Sequence, residues 1–201
     1  HFIDHPLAPM PAMATAAAVT DTLRVGSLVL ANDYKHPVVL AREAATLDLL
    51  SAGRLELGLG AGWMTADYEK SGIELDRPSV RIDRLAESIT ILKGLFADGA
   101  FSFAGEHYTV TELDGQPKPV QQPHPPFIVG GGGPKILALA AKEAQIVGIN
   151  ANLRSGDGTS PDASTVALCT GTFLGGTLFR GEERIGGGRT GEASAPRLAA
   201  Q

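Results

Sequence analysis

Two glycine clusters carry the clearest chemical signal in the chain. The first, Gly58-Leu59-Gly60-Ala61-Gly62-Trp63, follows the alternating segment Arg54-Leu55-Glu56-Leu57. On a strand, Leu55, Leu57 and Leu59 share one face, while Glu56, Gly58 and Gly60 share the other. A strand that ends without side chains on its inner face leaves room there for a flat ring system. Two other readings compete. A dinucleotide fingerprint needs G-x-G-x-x-G opening directly into a helix. Here the third glycine comes one residue early, at Gly62, with no helix cap behind it. Glycines that simply allow tight packing are the plain alternative.

The second cluster is Gly130-Gly131-Gly132-Gly133, followed by Pro134 and Lys135. Glycines at a strand end, with proline in the first turn of the next helix, expose backbone N–H groups at the positive end of the helix dipole. That combination suits a phosphate. Pro134 has no N–H, so the donors are the glycines, Lys135 and Ile136. A flexible strand-to-helix turn is the competing reading.

The remaining reactive residue types read as structural. The histidines are His1, His5, His36, His107 and His124, and no two have metal-ligand spacing on one helix face. No metal site is expected. His36 precedes a helix-opening Pro37 and reads as a cap. Cys169 is the single cysteine, which excludes a disulfide framework or a cysteine-rich zinc site within one chain. Arg24 and Glu56 each stand two residues before a strand glycine, Gly26 and Gly58. On parallel neighbouring strands both side chains point to one interior, so an ion pair is expected there.

The hydrophobic pattern supplies the frame that must position these groups. Pro6, Pro9 and Pro11 predict a loop, followed by a helix over 12–19. Residues 23–30 read as a short buried strand. Leu40, Ala44, Leu47 and Leu50 recur at helical spacing after Pro37, and Gly53 stops that helix. Residues 54–60 form a second strand, and 63–73 a loop with a helical turn. Ile82, Leu85, Ile89, Leu92 and Phe96 mark a long amphipathic helix. A hairpin is predicted from 101–103 and 107–110, then an extended proline-rich stretch. Residues 127–129 and 145–149 are two more strands, with a helix over 134–144 between them. This order implies parallel strands with helical crossovers, in an α/β fold that is either an open doubly wound sheet or a (β/α) barrel.

Residues 153–201 break the rhythm. They are glycine-rich and carry no helix-period apolar stripe, although 166–169 and 172–179 suit short strands. The expected division is therefore a folded unit over 1–152 and an atypical glycine-rich tail over 153–201, poorly ordered or packed unlike a regular barrel end. Across all 201 residues, 43% are hydrophobic and 19% charged, with net charge −5. That is the composition of a folded, mildly acidic chain with no nucleic-acid or membrane partner. Nothing reads as a signal peptide or a membrane span, so a cytoplasmic location is expected.

The string LRVGSLVLANDYKHPVVLAREAATLDLLSAGRLELGLGAGW, residues 23–63, resembles the bacterial luciferase-like flavin monooxygenase superfamily. Within it, the branch using the deazaflavin coenzyme F-420 is most similar. The string PPFIVGGGGPKILALAAKEAQIVGIN, residues 125–150, resembles the same family's phosphate-loop strand and helix. The resemblance covers residues 1 to about 150. It implies a (β/α)8 TIM barrel of the luciferase-like type with the cofactor at its C-terminal mouth. It further implies a bulge at Ser27, Leu28 and Val29, with a cis bond between Leu28 and Val29, supporting the central ring. Gly60, Ala61, Gly62 and Trp63 would lie beside the ring and its side chain. Gly130, Gly131, Gly132 and Gly133 would hold the cofactor phosphate. His1 resembles the histidine of an Asp-His pair near the reactive ring, which makes it the catalytic candidate. A complete barrel takes about 250 residues, and about five of its eight βα units are recognisable here. The barrel is thus expected to be incomplete, its first strands and final elements missing or altered.

The implied activity is oxidoreduction, with hydride transfer between coenzyme F-420 and a small organic substrate. The alternatives are an FMN-dependent monooxygenase using oxygen, or a non-catalytic truncated remnant. Two open sheet edges would favour a homo-oligomer.

Overall fold

The computed structural model describes residues 7–149, 166–168, 176–180 and 183–187. Helix α1 spans Pro9–Ala18, so it starts earlier than the prolines suggested. Pro9 and Pro11 both sit in its first turn, where a missing N–H costs nothing. The expected first strand is two short pieces, β1 (Val25–Gly26) and β2 (Leu30–Ala31). A 3-10 turn over Asn32–Tyr34 leads to α2 (Pro37–Leu50), which His36 caps by accepting a bond from the Val38 N–H at 3.3 Å. Strand β3 (Leu55–Gly60) is followed by α3 (Thr65–Ser71), a full two turns where the sequence suggested a loop with one. The long helix α4 is Pro78–Phe96.

A hairpin of β4 (Ala100–Ala104) and β5 (Thr109–Asp114) stands apart from the main sheet and pairs antiparallel. Then come β6 (Phe127–Gly131), α5 (Pro134–Glu143) and β7 (Ile146–Ile149). Beyond residue 149, β8 (Val166–Leu168) pairs parallel with β7, and β9 (Gly176–Arg180) pairs antiparallel with β10 (Glu183–Gly187). The rest of the 153–201 tail, and Cys169 with it, lies outside the described residues.

The main sheet runs β1/β2, β3, β6, β7, β8, with every pairing parallel. Parallel neighbours need crossovers, and α2, α4 and α5 belong to those links. Leu55, Leu57 and Leu59 of β3 are fully buried, in one cluster with Leu40 and Leu47 of α2 and Leu85 and Ile89 of α4. Each such leucine contributes about 1.5–3 kcal/mol of apolar burial. The alternation read in the sequence therefore aims the leucines at the helices and the glycines at the opposite, inner face.

Polar ties hold the ends of these elements. Arg54 donates to three carbonyls, those of Ala17, Leu23 and Ser51, at 2.7–2.8 Å, fastening the end of α1 to the turn after α2. The buried Asp48 carboxylate accepts from the Gln121 backbone N–H at 2.9 Å and its side-chain amide at 2.7 Å. Glu87 of α4 accepts from the N–H groups of Glu106, His107 and Tyr108, which clamps the hairpin tip to the helix. Arg24 and Glu56 do pair, at 2.6 Å. Their side chains are 48% and 27% exposed, however, so the pair sits at a wet strand entrance and not in a buried interior.

Candidate functional site

Parallel strands deliver their C-terminal ends to one edge of the sheet. Here that edge gathers Ala31, Gly60, Gly131 and Ile149, the last residues of β2, β3, β6 and β7. The register shows how the edge strand enters it. Gly26 pairs with Glu56 and Leu30 with Leu59, so four residue steps on the edge strand oppose three on β3. Residues 27–29 are the resulting bulge. The peptide bond between Leu28 and Val29 is cis, at the position the resemblance implied.

The bulge lies over the inner face of the sheet. A Cβ placed on Gly58 would strike the Ser27 carbonyl oxygen, and one on Gly60 would strike Val29 Cγ2. On Gly130 it would come within 3.0 Å of Val29 Cγ1, and on Gly148 within 2.8 Å of Leu28 Cδ1. The Ser27 hydroxyl adds a bond to the Gly58 carbonyl at 3.1 Å. This corrects one expectation. The room left by Gly58 and Gly60 is filled by Ser27 and Val29, so a ring cannot lie directly on those glycines. A flat group would instead meet the upper surface of the bulge, where Leu28 is 47% exposed.

Beyond β3 the chain turns sharply. Gly62 has φ +75°, and a Cβ there would strike the Tyr68 hydroxyl, so glycine is required on both counts. Arg81, at the start of α4, donates to the carbonyls of Ala61 and Gly62 and, through Nε, to that of Asp76 at 2.8 Å. It thereby fixes the backbone of the segment expected to flank the ring. Trp63 follows with its ring exposed. The dinucleotide reading is excluded by this geometry: Gly58 and Gly60 lie within β3, and the next helix begins only at Thr65.

The four-glycine loop is divided between two elements. Gly130 and Gly131 end β6, whereas Gly133 caps α5 with Pro134 at its first position. Among the described residues, nothing lies within 4 Å of a Cβ built on Gly133, and none of them closes the approach to that side of the α5 N-terminus. Lys135 turns away to Asp83 of α4 at 2.7 Å. An anion at this turn would therefore be held by backbone N–H groups.

A buried polar network borders the mouth, and the sequence reading missed it. Asp33, whose side chain is 2% exposed, accepts from the Tyr68 hydroxyl at 2.9 Å and from Arg84 at 2.8 Å. Arg84 also bonds Asp76. Burial, with donation to Asp33 next, pushes the Tyr68 hydroxyl well above the ordinary tyrosine range. Burial opposes the Arg84 charge, but its bonds to Asp76 and Asp33 outweigh it and hold the proton more firmly than usual. Both Asp33 oxygens are engaged, so this carboxylate braces the mouth. Gly148 is the other residue missed. Its signal was its place in the strand over 145–149, where it pairs directly with Gly130.

Of the residues singled out in the sequence, the structure brings Leu28 and Val29 against the glycines of three strands. Gly60 to Trp63 and Gly130 to Gly133 stand at the ends of neighbouring strands on the same edge. His1 lies outside the described residues. Among the described residues, no helix is long and apolar enough to cross a membrane, and no group of acidic, histidine or cysteine side chains could hold a metal.

Known proteins resemble this chain in sequence and in fold. The family model described as luciferase-like monooxygenase matches residues 1–160. An uncharacterised protein of Sinorhizobium fredii is 31% identical over 187 residues, covering 87% of this chain and 53% of its own length. The oxygenase component of a flavin-dependent trigonelline monooxygenase from Acinetobacter baylyi is 33% identical over 144 residues, 71% of this chain and 39% of that protein. Among solved structures, an F420-dependent secondary alcohol dehydrogenase in complex with an F420-acetone adduct superposes with a TM-score of 0.65. It is 23% identical and covers 71% of this chain and 43% of the other, a likeness of fold. The chain thus spans about half the length, or less, of the relatives it matches, and its parallel arc corresponds to part of their (β/α)8 barrel. With a family match over most of its length, this chain belongs to the luciferase-like monooxygenase family.

Proposed function

We propose that this chain forms the cofactor-holding part of an oxidoreductase that transfers hydride between coenzyme F-420 and a small organic substrate. The observation that carries this reading is the bulge at residues 27–29, seated on glycines at the same strand edge as the glycine loop. The residues present suit such a group: an exposed support at Leu28, and an open turn of backbone donors about two strands away. When bound, the deazaflavin would supply the hydride-accepting or hydride-donating carbon. The protein's part is orientation and exclusion of water. Ser27, Leu28 and Val29 would support the ring, Gly60 to Trp63 would flank it, and Gly130 to Gly133 would bind the phosphate. His1 is the candidate for moving a proton near the reactive ring.

A second reading is an FMN-dependent monooxygenase that uses oxygen, favoured by the flavin-dependent relative from Acinetobacter baylyi. Coenzyme F-420 is placed first because residues 23–63 resemble that branch. A non-catalytic remnant is the third reading, and it would keep the phosphate turn without activity. In this proposal residues 1–152 are the working unit, residues 153–201 are an atypical glycine-rich tail that adds β8 to the sheet, the assembly is a homo-oligomer and the location is cytoplasmic. Titrating the purified chain with coenzyme F-420 and with FMN, followed by fluorescence, tests the reading. Saturable binding of F-420 in preference to FMN is expected. Preference for FMN would move the function to the second reading, and binding of neither would leave the remnant.

A further inference from the structure

Gly60, Gly130 and Gly148 form a row across three strands at one level. Gly130 pairs directly with Gly148, and Gly60 and Gly130 each follow the paired Leu59 and Val129. Two side chains of the bulge lie across this row: Val29 over Gly60 and Gly130, and Leu28 over Gly148. A single added methyl at Gly60 or Gly148 would overlap the side chain above it. The bulge therefore rests as low on the sheet as the chain allows.

We infer that Gly60 and Gly148 are positioning residues that set the height of the Leu28–Val29 support, and hence which ring system the mouth admits. The inference rests on the cofactor reading above and adds what lies beneath the support. The physical reason is that a packed interior has no slack. A methyl below Val29 cannot be absorbed by the strand, which is hydrogen-bonded on both sides, so the Val29 side chain and the bulge that carries it must move. The bulge then rises into the space above it. The collision at Gly60 is with a side chain, so trimming Val29 relieves it. The collision at Gly58 is with the Ser27 backbone, so no trimming relieves it.

The test is a cycle on the intact chain: Gly60→Ala, Val29→Ala and the double variant. Each is titrated with FMN and with coenzyme F-420, and the absorption band of the bound ring is recorded at saturation. Gly60→Ala should weaken binding about tenfold or more and shift the band in the parent, and should weaken binding by less than about threefold when it is made on Val29→Ala. A Gly60→Ala protein that melts earlier but binds with unchanged affinity and band overturns the inference. So does a Gly60→Ala step that costs as much on Val29→Ala as in the parent. If the parent binds neither cofactor, the functional reading fails while the inference is still tested in the free protein. Amide resonances of residues 27–30 should then move in Gly60→Ala relative to the parent and move far less in the double variant relative to Val29→Ala, and unmoved resonances in Gly60→Ala overturn it. Should Gly60→Ala not fold, Gly130→Ala with Val29→Ala provides the cycle through the second contact of Val29, read by the same amide resonances.

Discussion

Tyr68 keeps its proton in the folded chain because the hydroxyl is buried and donates to Asp33. In the unfolded chain it would ionise near the ordinary value of 10.0. Above that pH, unfolding releases a proton, so stability should fall as pH rises, by up to about 1.4 kcal/mol per pH unit. Urea melts between pH 9 and 11 should show this slope in the parent and a shallower one in Tyr68→Phe. At neutral pH the same substitution should cost about 1–3 kcal/mol, because it leaves a buried Asp33 oxygen without its donor. This network was not legible in the sequence. Tyr68 and Arg84 lie 35 and 51 residues from Asp33, in stretches whose polar residues look alike. Arg24 and Glu56 were legible, since equal offsets from two strand glycines put them on one face. Their exposure was not, because burial depends on what lies beyond the strand entrance.

The turn from β6 into α5 was the most readable element. Pro134 can only open a helix there, and four glycines need a reason. Lys135 is held by Asp83, so binding at this turn depends on the glycine backbone. Gly132→Val should lower cofactor affinity by roughly tenfold, because its side chain would cover the donors. Lys135→Ala should change stability by less than about 1 kcal/mol, since its partner is an exposed surface carboxylate. Paired titrations and thermal melts of the two variants check both expectations, and equal loss of affinity in the two would assign the binding to the lysine. The first strand was readable only in outline. Hydrophobic content marks residues 23–30, but periodicity has no signature for a bulge, and only the family resemblance pointed to residues 27–29. Helix α3 was legible only as one helical turn within a loop, because it lacks a side-chain cap and is short.

Across the whole molecule, stability should be graded along the sheet. Strand β3 is hydrogen-bonded on both sides and carries three fully buried leucines. Among the described residues, β1 and β2 have β3 as their one strand neighbour. Hydrogen exchange should therefore be slowest at residues 55–59 and faster at 25–26 and 30–31. Leu57→Ala should cost about 2–5 kcal/mol, read from a denaturant melt. Uniform exchange across these strands would mean that the edge is covered by something outside the described residues. The parallel order of the sheet was legible from the alternation of strands and helices.

The extra residue in the bulge also has a genetic meaning. Val25 and Leu30 differ in parity, yet they pair with Leu55 and Leu59, which share a face. The insertion resets the reading of inside and outside halfway along the edge strand. Deleting any one residue from 27–29 would leave composition nearly intact and yet turn Leu30 off the leucine face of the sheet. Substitutions that keep the segment's length leave this register in place. Among mutations of equal size here, a lost or gained codon should be far less tolerated than a changed one.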